Sequence, residues 1–232
     1  MAQDADLECE LARPVQAWLG DASRAIAAAV DAQNEELLQP EERRFVARAV
    51  ASRRAEFATG RVLARRAFSE LGLPSDRLVM LKDRAPNWPT SSEASLSHAG
   101  GYCLFAARPR VGLGIGIDLE VSTRFDEASR CLILTETEQA RFAGFPGGWN
   151  GESAQLAALQ AFSIKEALYK AMHGVGNRGL DFQAIAVLPH RDGTWIAEPG
   201  DDFQRRLPAG AQISVWSARV GDFVVSAAAL TP

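Results

Sequence analysis

The chain lacks the features that mark several whole classes of protein. No uncharged apolar run approaches the roughly 20 residues that span a bilayer, so no stable membrane insertion is expected. The opening MAQDADLECE is acidic, without a basic or an apolar leader region, and no secretory signal is expected. Cysteine is scarce: Cys9, Cys103 and Cys131 form neither a CxxC pair nor a disulfide framework, and a reducing, cytoplasmic setting is the default. Aromatics make up 8%, with no basic–aromatic interleaving of the kind that stacks bases, which argues against nucleic acid. No GxGxxG opens a helix and no GxSxG elbow surrounds a serine, so dinucleotide binding and a hydrolase triad are not expected. His98 has no Cys or His partner at ligand spacing, which argues against zinc.

What remains is an ordinary globular composition. The 232 residues are 47% hydrophobic and 23% charged, with room for one or two domains. The net charge of −4 is unevenly spread. Between Glu41 and Gly72 stand eight arginines and four glutamates, a local +4 that leaves −8 for the rest. Such a stretch suits an anionic ligand or partner; a solvated helix face with Glu and Arg at helical spacing explains it equally well.

Along the chain, residues 22–31 are too alanine-rich to decide between strand and short helix. Pro40 with Glu41 and Glu42 starts a helix, and apolar residues then recur at three- and four-residue steps to Leu71. Gly60 is expected to break or bend this helix, and Gly72 with Pro74 to end it. Residues 82–94 read as loop. Strands at 95–98 and 102–108 are joined by Gly100-Gly101 as a hairpin, and another strand covers about 113–120. A helix near 135–142 has Thr135 as cap with Glu138 three residues on. A glycine-rich loop at 144–151 precedes a helix over about 153–173. The tail is β-rich, at 182–188, 194–197, 212–219 and 222–229. Residues 1–35 and 190–211 carry no motif. SHAGGYCLFAA (97–107) and SARVGDFVVSAA (217–228) echo each other, so two pseudo-repeated α+β halves are one reading and chance similarity the other.

Three segments carry chemistry. In GIGIDLE (114–120), strand alternation puts Asp118 and Glu120 on one side, where two carboxylates could share a hard cation such as Mg²⁺. In FSIKEALYKA (162–171), a helix puts Glu166 and Lys170 on one face at i, i+4, with Lys165 about 100° away. Glu166 could be a third metal carboxylate or a general base, or simply half of a common helix ion pair. In SLSHAG (95–100), His98 could bind phosphate beside Arg84 and the arginine-rich helix, or be structural.

Taken in order, RRAEFATGR (53–61), PNWP (86–89), SLSHAG, GIGIDLE and FSIKEALYKA resemble the 4′-phosphopantetheinyl transferase superfamily, over about residues 40–172. The RRAEF-GR and PxWP segments are similar to the enterobactin synthetase component D branch, and the length suits its two-half members. The resemblance implies an α+β fold of two similar α/β halves forming a pseudodimer, with the active site in the cleft between them. Residues 1–111 would bind the phosphate and adenine side of coenzyme A, and 112–232 would carry the metal and catalytic carboxylates. It implies transfer of the phosphopantetheine arm of coenzyme A to a serine of an acyl, peptidyl or aryl carrier protein, with release of adenosine 3′,5′-bisphosphate. Asp118, Glu120 and Glu166 would hold Mg²⁺, or Mn²⁺. Glu166 would deprotonate the serine and Lys170 would stabilise the leaving group. Arg53, Arg61, Arg84, Ser97, His98, Lys165 and Lys170 would contact coenzyme A. A monomer is expected, because two halves already supply the cleft. The alternatives are another Mg²⁺-dependent phosphoryl or nucleotidyl transferase, and a non-catalytic module that binds coenzyme A or a carrier protein.

Overall fold

The structure is a computed structural model that describes residues 2–75, 78–81, 85–122, 132–144, 153–177, 179, 181–190 and 192–232. Arg84 and most of the glycine-rich loop at 144–151 lie outside the described residues. The chain divides into two compact units, Met1–Val111 and Gly112–Pro232. Each is built on a 20-residue helix packed against a three-stranded antiparallel sheet, so the α+β class expected from the pattern is the one found. No described helix is long and apolar enough to cross a membrane.

The first unit opens with α1 (Ala2–Leu19), an element that no sequence motif announced. The alanine-rich run resolves as strand β1 (Arg24–Ala29). It pairs with β3 (Tyr102–Pro109), whose other neighbour is β2 (Ser92–Ala99). As an outer strand, β1 has N–H groups that β3 cannot accept. Those of Ala25 and Ala29 donate to Gln16 Oε1 at 2.9 Å and Glu8 Oε1 at 2.8 Å, both on α1. The hairpin glycines Gly100 and Gly101 both take positive φ, 58° and 83°. Strand β2 starts three residues before its expected first residue. Its polar Ser92 and Glu93 are nonetheless buried, bonded to the Pro89 carbonyl and to Arg108.

The long helix expected from Pro40 onward is two helices, α2 (Pro40–Val46) and α3 (Ala51–Glu70). The break falls before Ala51, not at Gly60. Gly60 sits in unbroken helix, where a Cβ would lie 2.6 Å from Leu96 Cδ2. Its role is to let α3 lie close against β2, not to bend the helix. Phe68 of α3 packs edge-on against Phe105 of β3 and against Trp88 of the PNWP segment.

In the second unit, β4 (Gly114–Val121) pairs with β8 (Phe223–Thr231), which also pairs with β7 (Gln212–Val220). Helix α4 (Glu136–Ala143) starts with the expected capping box: Thr135 Oγ1 accepts from Glu138 N–H, and Glu138 accepts from Thr135 N–H. Helix α5 (Ala154–His173) is capped by Ser153 and lies across β4 and β8. Its buried Ala161, Ile164, Leu168 and Met172 share a core with Val187, Phe203 and Val224. The remaining elements are a hairpin of β5 (Ile185–Pro189) and β6 (Trp195–Pro199), and a short α6 (Asp201–Arg206) in the stretch without a motif.

Candidate active site

Strand alternation aims Gly114, Gly116, Asp118 and Glu120 of β4 at one side. Helix α5 covers that side so closely that only glycine fits at two of the four positions. A Cβ on Gly116 would lie 1.8 Å from the Ala167 carbonyl oxygen, and one on Gly114 would lie 2.4 Å from that of Ala171. Two residues further along β4, Asp118 meets the polar part of the helix. Its Oδ2 accepts from Ser163 Oγ at 2.9 Å and its Oδ1 from Lys170 Nζ at 2.7 Å. Lys170 also donates to the Ile117 carbonyl at 3.0 Å. Asp118 is 3% exposed, so these protein partners and not bulk water satisfy its oxygens.

Ser163, Glu166 and Lys170 lie at i, i+3 and i+7 of α5 and share that face. Burial, reinforced by the negative charge of Asp118, raises the Glu166 carboxyl above its ordinary value, and Lys170 only partly opposes this. A base of raised pKa beside a buried carboxylate and a lysine is a recurrent arrangement at proton-transfer sites. Ser163 was not among the expected site residues, because a helical serine carries no signal until its partner strand is known.

The structure thus brings Asp118, Glu166 and Lys170 together. Glu120 follows Asp118 on the same side of β4 and is half-buried. Among the described residues, no group of three or more His, Cys, Asp or Glu side chains converges as a ready metal site. The oxygen donors still suit a hard cation. Mg²⁺ takes one or two protein carboxylates and completes its shell with water and phosphate oxygens, which Asp118 and Glu166 can satisfy without a third.

Lys165 is a correction. It was expected to contact phosphate, yet its side chain is 0% exposed. Its Nζ donates to Glu138 Oε2 at 2.7 Å, the Phe182 carbonyl at 2.8 Å and the Ile133 carbonyl at 2.9 Å. An ammonium has three hydrogens, and these three acceptors engage them all. Burial lowers its pKa, opposed by the Glu138 carboxylate.

In the first unit, Arg53 and His98 meet. Arg53 Nη1 contacts His98 Nε2 and donates to Glu56 Oε2 at 3.2 Å, and His98 Nδ1 lies 3.6 Å from the same carboxylate oxygen. With Nε2 facing a guanidinium, the neutral imidazole carries its proton on Nδ1, toward Glu56. Glu56 was not singled out from the sequence. Ser97 is buried on the opposite face of β2 from His98, so its side chain does not join this group.

Arg61 is 1% exposed and not at the surface as expected for a ligand to a bound phosphate. Its guanidinium lies 4.3 Å from the Phe57 ring centre and 5.4 Å from that of Trp88, and its Nε donates to the Leu78 carbonyl. Burial lowers its pKa to about 10, opposed by Glu42. Its Nη2 has no hydrogen-bond partner among the described residues.

Part of the arginine excess is engaged within the unit, although Arg61 alone of the eight is buried. Arg65 holds the buried Glu42 through both carboxylate oxygens, at 2.8 and 3.0 Å, while Arg43 and Arg54 bond backbone carbonyls. The segment thus combines structural contacts with exposed positive charge that remains for a ligand.

The sequence model of the 4′-phosphopantetheinyl transferase N-terminal domain matches residues 41–108, and that of the 4′-phosphopantetheinyl transferase superfamily matches residues 114–228. The 4′-phosphopantetheinyl transferase Svp of Streptomyces mobaraensis is 33% identical over 205 residues, which cover 79% of each chain. The 4′-phosphopantetheinyl transferase PptT of Mycobacterium tuberculosis is 32% identical over 161 residues, 67% of this chain and 66% of that protein. Enterobactin synthase component D of Escherichia coli is 31% identical over 151 residues, 62% of this chain and 70% of that one. Among solved structures, a holo-(acyl-carrier-protein) synthase from Bacillus anthracis in complex with CoA is 24% identical, over 52% of this chain and 96% of that one, with a TM-score of 0.40. Matches in both units, together with a relative of one-third identity across most of both lengths, establish that the chain belongs to the 4′-phosphopantetheinyl transferase superfamily.

Proposed function

We propose that the chain transfers the 4′-phosphopantetheine arm of coenzyme A to a serine hydroxyl of an acyl or peptidyl carrier protein, with Glu166 as the base. The arrangement of Glu166, Asp118 and Lys170 carries this reading: a carboxylate of raised proton affinity stands next to a buried carboxylate and a lysine. The serine oxygen forms a bond to the phosphorus that bears the pantetheine. The bond from that phosphorus to the bridging oxygen breaks, and adenosine 3′,5′-bisphosphate departs with the electron pair. Glu166 takes the serine proton, without which the hydroxyl is a poor nucleophile. Lys170, held at Asp118, faces the charge that develops on the departing phosphate. Asp118 and Glu166, with Glu120 beside them, would hold Mg²⁺ or Mn²⁺, which when bound offsets phosphate charge in such transfers. Arg53 and His98 would take phosphates of coenzyme A, since a guanidinium fork matches phosphate oxygens.

The test is intact-protein mass spectrometry of apo acyl, peptidyl and aryl carrier proteins incubated with the chain, coenzyme A and Mg²⁺, with and without EDTA. The expected result is a gain of one phosphopantetheine that EDTA abolishes. Glu166→Ala should fold and turn over about 100-fold more slowly or worse. No gain on any carrier, with coenzyme A still bound, would make the chain a binding module. Near-normal turnover in a folded Glu166→Ala variant would remove Glu166 as the base.

A further inference from the structure

Lys165 immediately precedes Glu166 in sequence, faces a different side of α5 and forms a buried pair with Glu138 of α4. That helix is held from two directions. On the β4 side, Ser163 and Lys170 grip Asp118, and the glycines bring the backbones together. From the other direction, Lys165 ties α5 to three segments at once: α4 through Glu138, the residues before α4 through the Ile133 carbonyl, and the start of the β5 hairpin through the Phe182 carbonyl.

Glu138 is itself fully committed. Oε2 accepts from Thr135 N–H at 2.6 Å and Thr135 Oγ1 at 2.9 Å as well as from Lys165, and Oε1 accepts from Val187 N–H at 2.7 Å. Both side chains are 0% exposed. Lys165 stands in the same helix row as Ala161, Leu168 and Met172, which are core residues. Apolar residues at both positions would pack about as well, since a buried ion pair seldom adds net stability over apolar residues of similar volume. What an ion pair adds is direction: three acceptors at fixed places admit one setting of the helix about its axis.

We propose that Lys165 and Glu138 are positioning residues for Glu166, fixing the rotation of α5 that presents its carboxylate, and that neither binds phosphate. The proposal rests on the reading of Glu166 as the base. Rolling α5 about its axis would displace that carboxylate from the hydroxyl it must reach, while Arg53 and His98 of the first unit would be untouched.

The experiment compares wild type with the doubly neutral variant Lys165→Met/Glu138→Gln, which leaves no charge stranded in the core. Turnover is counted per coenzyme A-binding protein molecule, with coenzyme A affinity measured calorimetrically and Tm by calorimetric scan. The expected result is a cooperatively melting protein with coenzyme A affinity close to wild type and kcat lower by about 100-fold, the effect of a displacement near 1 Å at a reacting group. Coenzyme A affinity that falls as far as kcat overturns the proposal by returning Lys165 to the phosphates, since the shift of Lys170 and Glu166 alone accounts only for a smaller loss, and a kcat close to wild type overturns it by making the pair structural only. A second measurement on the wild type does not depend on the variant folding. Reductive methylation read by peptide mass should leave Lys165 unmodified with and without coenzyme A; modification that coenzyme A suppresses overturns the proposal. Absence of transfer by the wild type itself would register separately, as failure of the reading on which the pair depends.

Discussion

Gly116 of β4 and Ala167 of α5 approach so closely that a Cβ on the glycine would stand 1.8 Å from the alanine carbonyl oxygen. Both partners are regular backbone, so neither can swing aside. Gly116→Ala must therefore lift α5 from the strand, at about 1–3 kcal/mol, the usual range for overpacking a core. The same movement separates Glu166 from Asp118. We expect a lower Tm in a calorimetric scan, together with reduced kcat at temperatures where the variant is still folded. Unchanged Tm and kcat would mean that the two elements tolerate a wider spacing.

Glu166 makes a prediction about stability as well as turnover. Its carboxyl is raised above the ordinary value of 4.5, so the folded state holds that proton more tightly than the unfolded chain. The contribution is favourable at low pH and is lost as pH rises above 4.5 through the folded value. Above the folded value the ionised side chain is thus a cost that the fold carries. Glu166→Gln in metal-free buffer should melt above wild type at pH 7, and the difference should shrink as pH falls toward 4.5. A lower Tm for the variant at neutral pH would contradict the sign.

Arg53 is half-exposed, and its contacts to Glu56 and His98 stand at the surface. Exposed pairs of this kind are worth under about 1 kcal/mol, so Arg53→Ala should melt close to wild type. Charge-assisted bonds to phosphate are stronger, about 1.5–3 kcal/mol, and losing one should weaken coenzyme A binding by roughly tenfold or more with a smaller change in kcat. Titration calorimetry decides. Unchanged affinity would leave Arg53 as a partner of Glu56 and His98 alone.

The readable part of the site was periodic. A two-residue period placed Asp118 and Glu120 on one side of a strand, and a four-residue step placed Glu166 and Lys170 on one side of a helix. Both are local rules that need no knowledge of the fold. Ser163, Glu56 and the pairing of Glu138 with Lys165 depend on which strand or helix lies opposite, which spacing does not give; spacing shows Glu138 only as the cap partner of Thr135. The burial of Lys165 has a local signal, because the row of Ala161, Leu168 and Met172 marks its position as inward-facing. Gly60 does not break the helix; its local signal does not show that it lies against the Leu96 side chain of β2, which a Cβ would have to displace. Arg84 lies outside the described residues, and its expected contact with coenzyme A stands as a proposal.

The two acceptors that α1 offers to β1 bear on how the molecule behaves among copies of itself. An outer strand with unmet N–H groups is a template onto which any extended chain can add, and long ladders grow from such edges. Glu8 and Gln16 occupy the Ala29 and Ala25 donors and remove that template. Helix α1, whose sequence holds no recognisable motif, should therefore act as a stopper against self-assembly, and its removal should expose this edge of β1 to added strands.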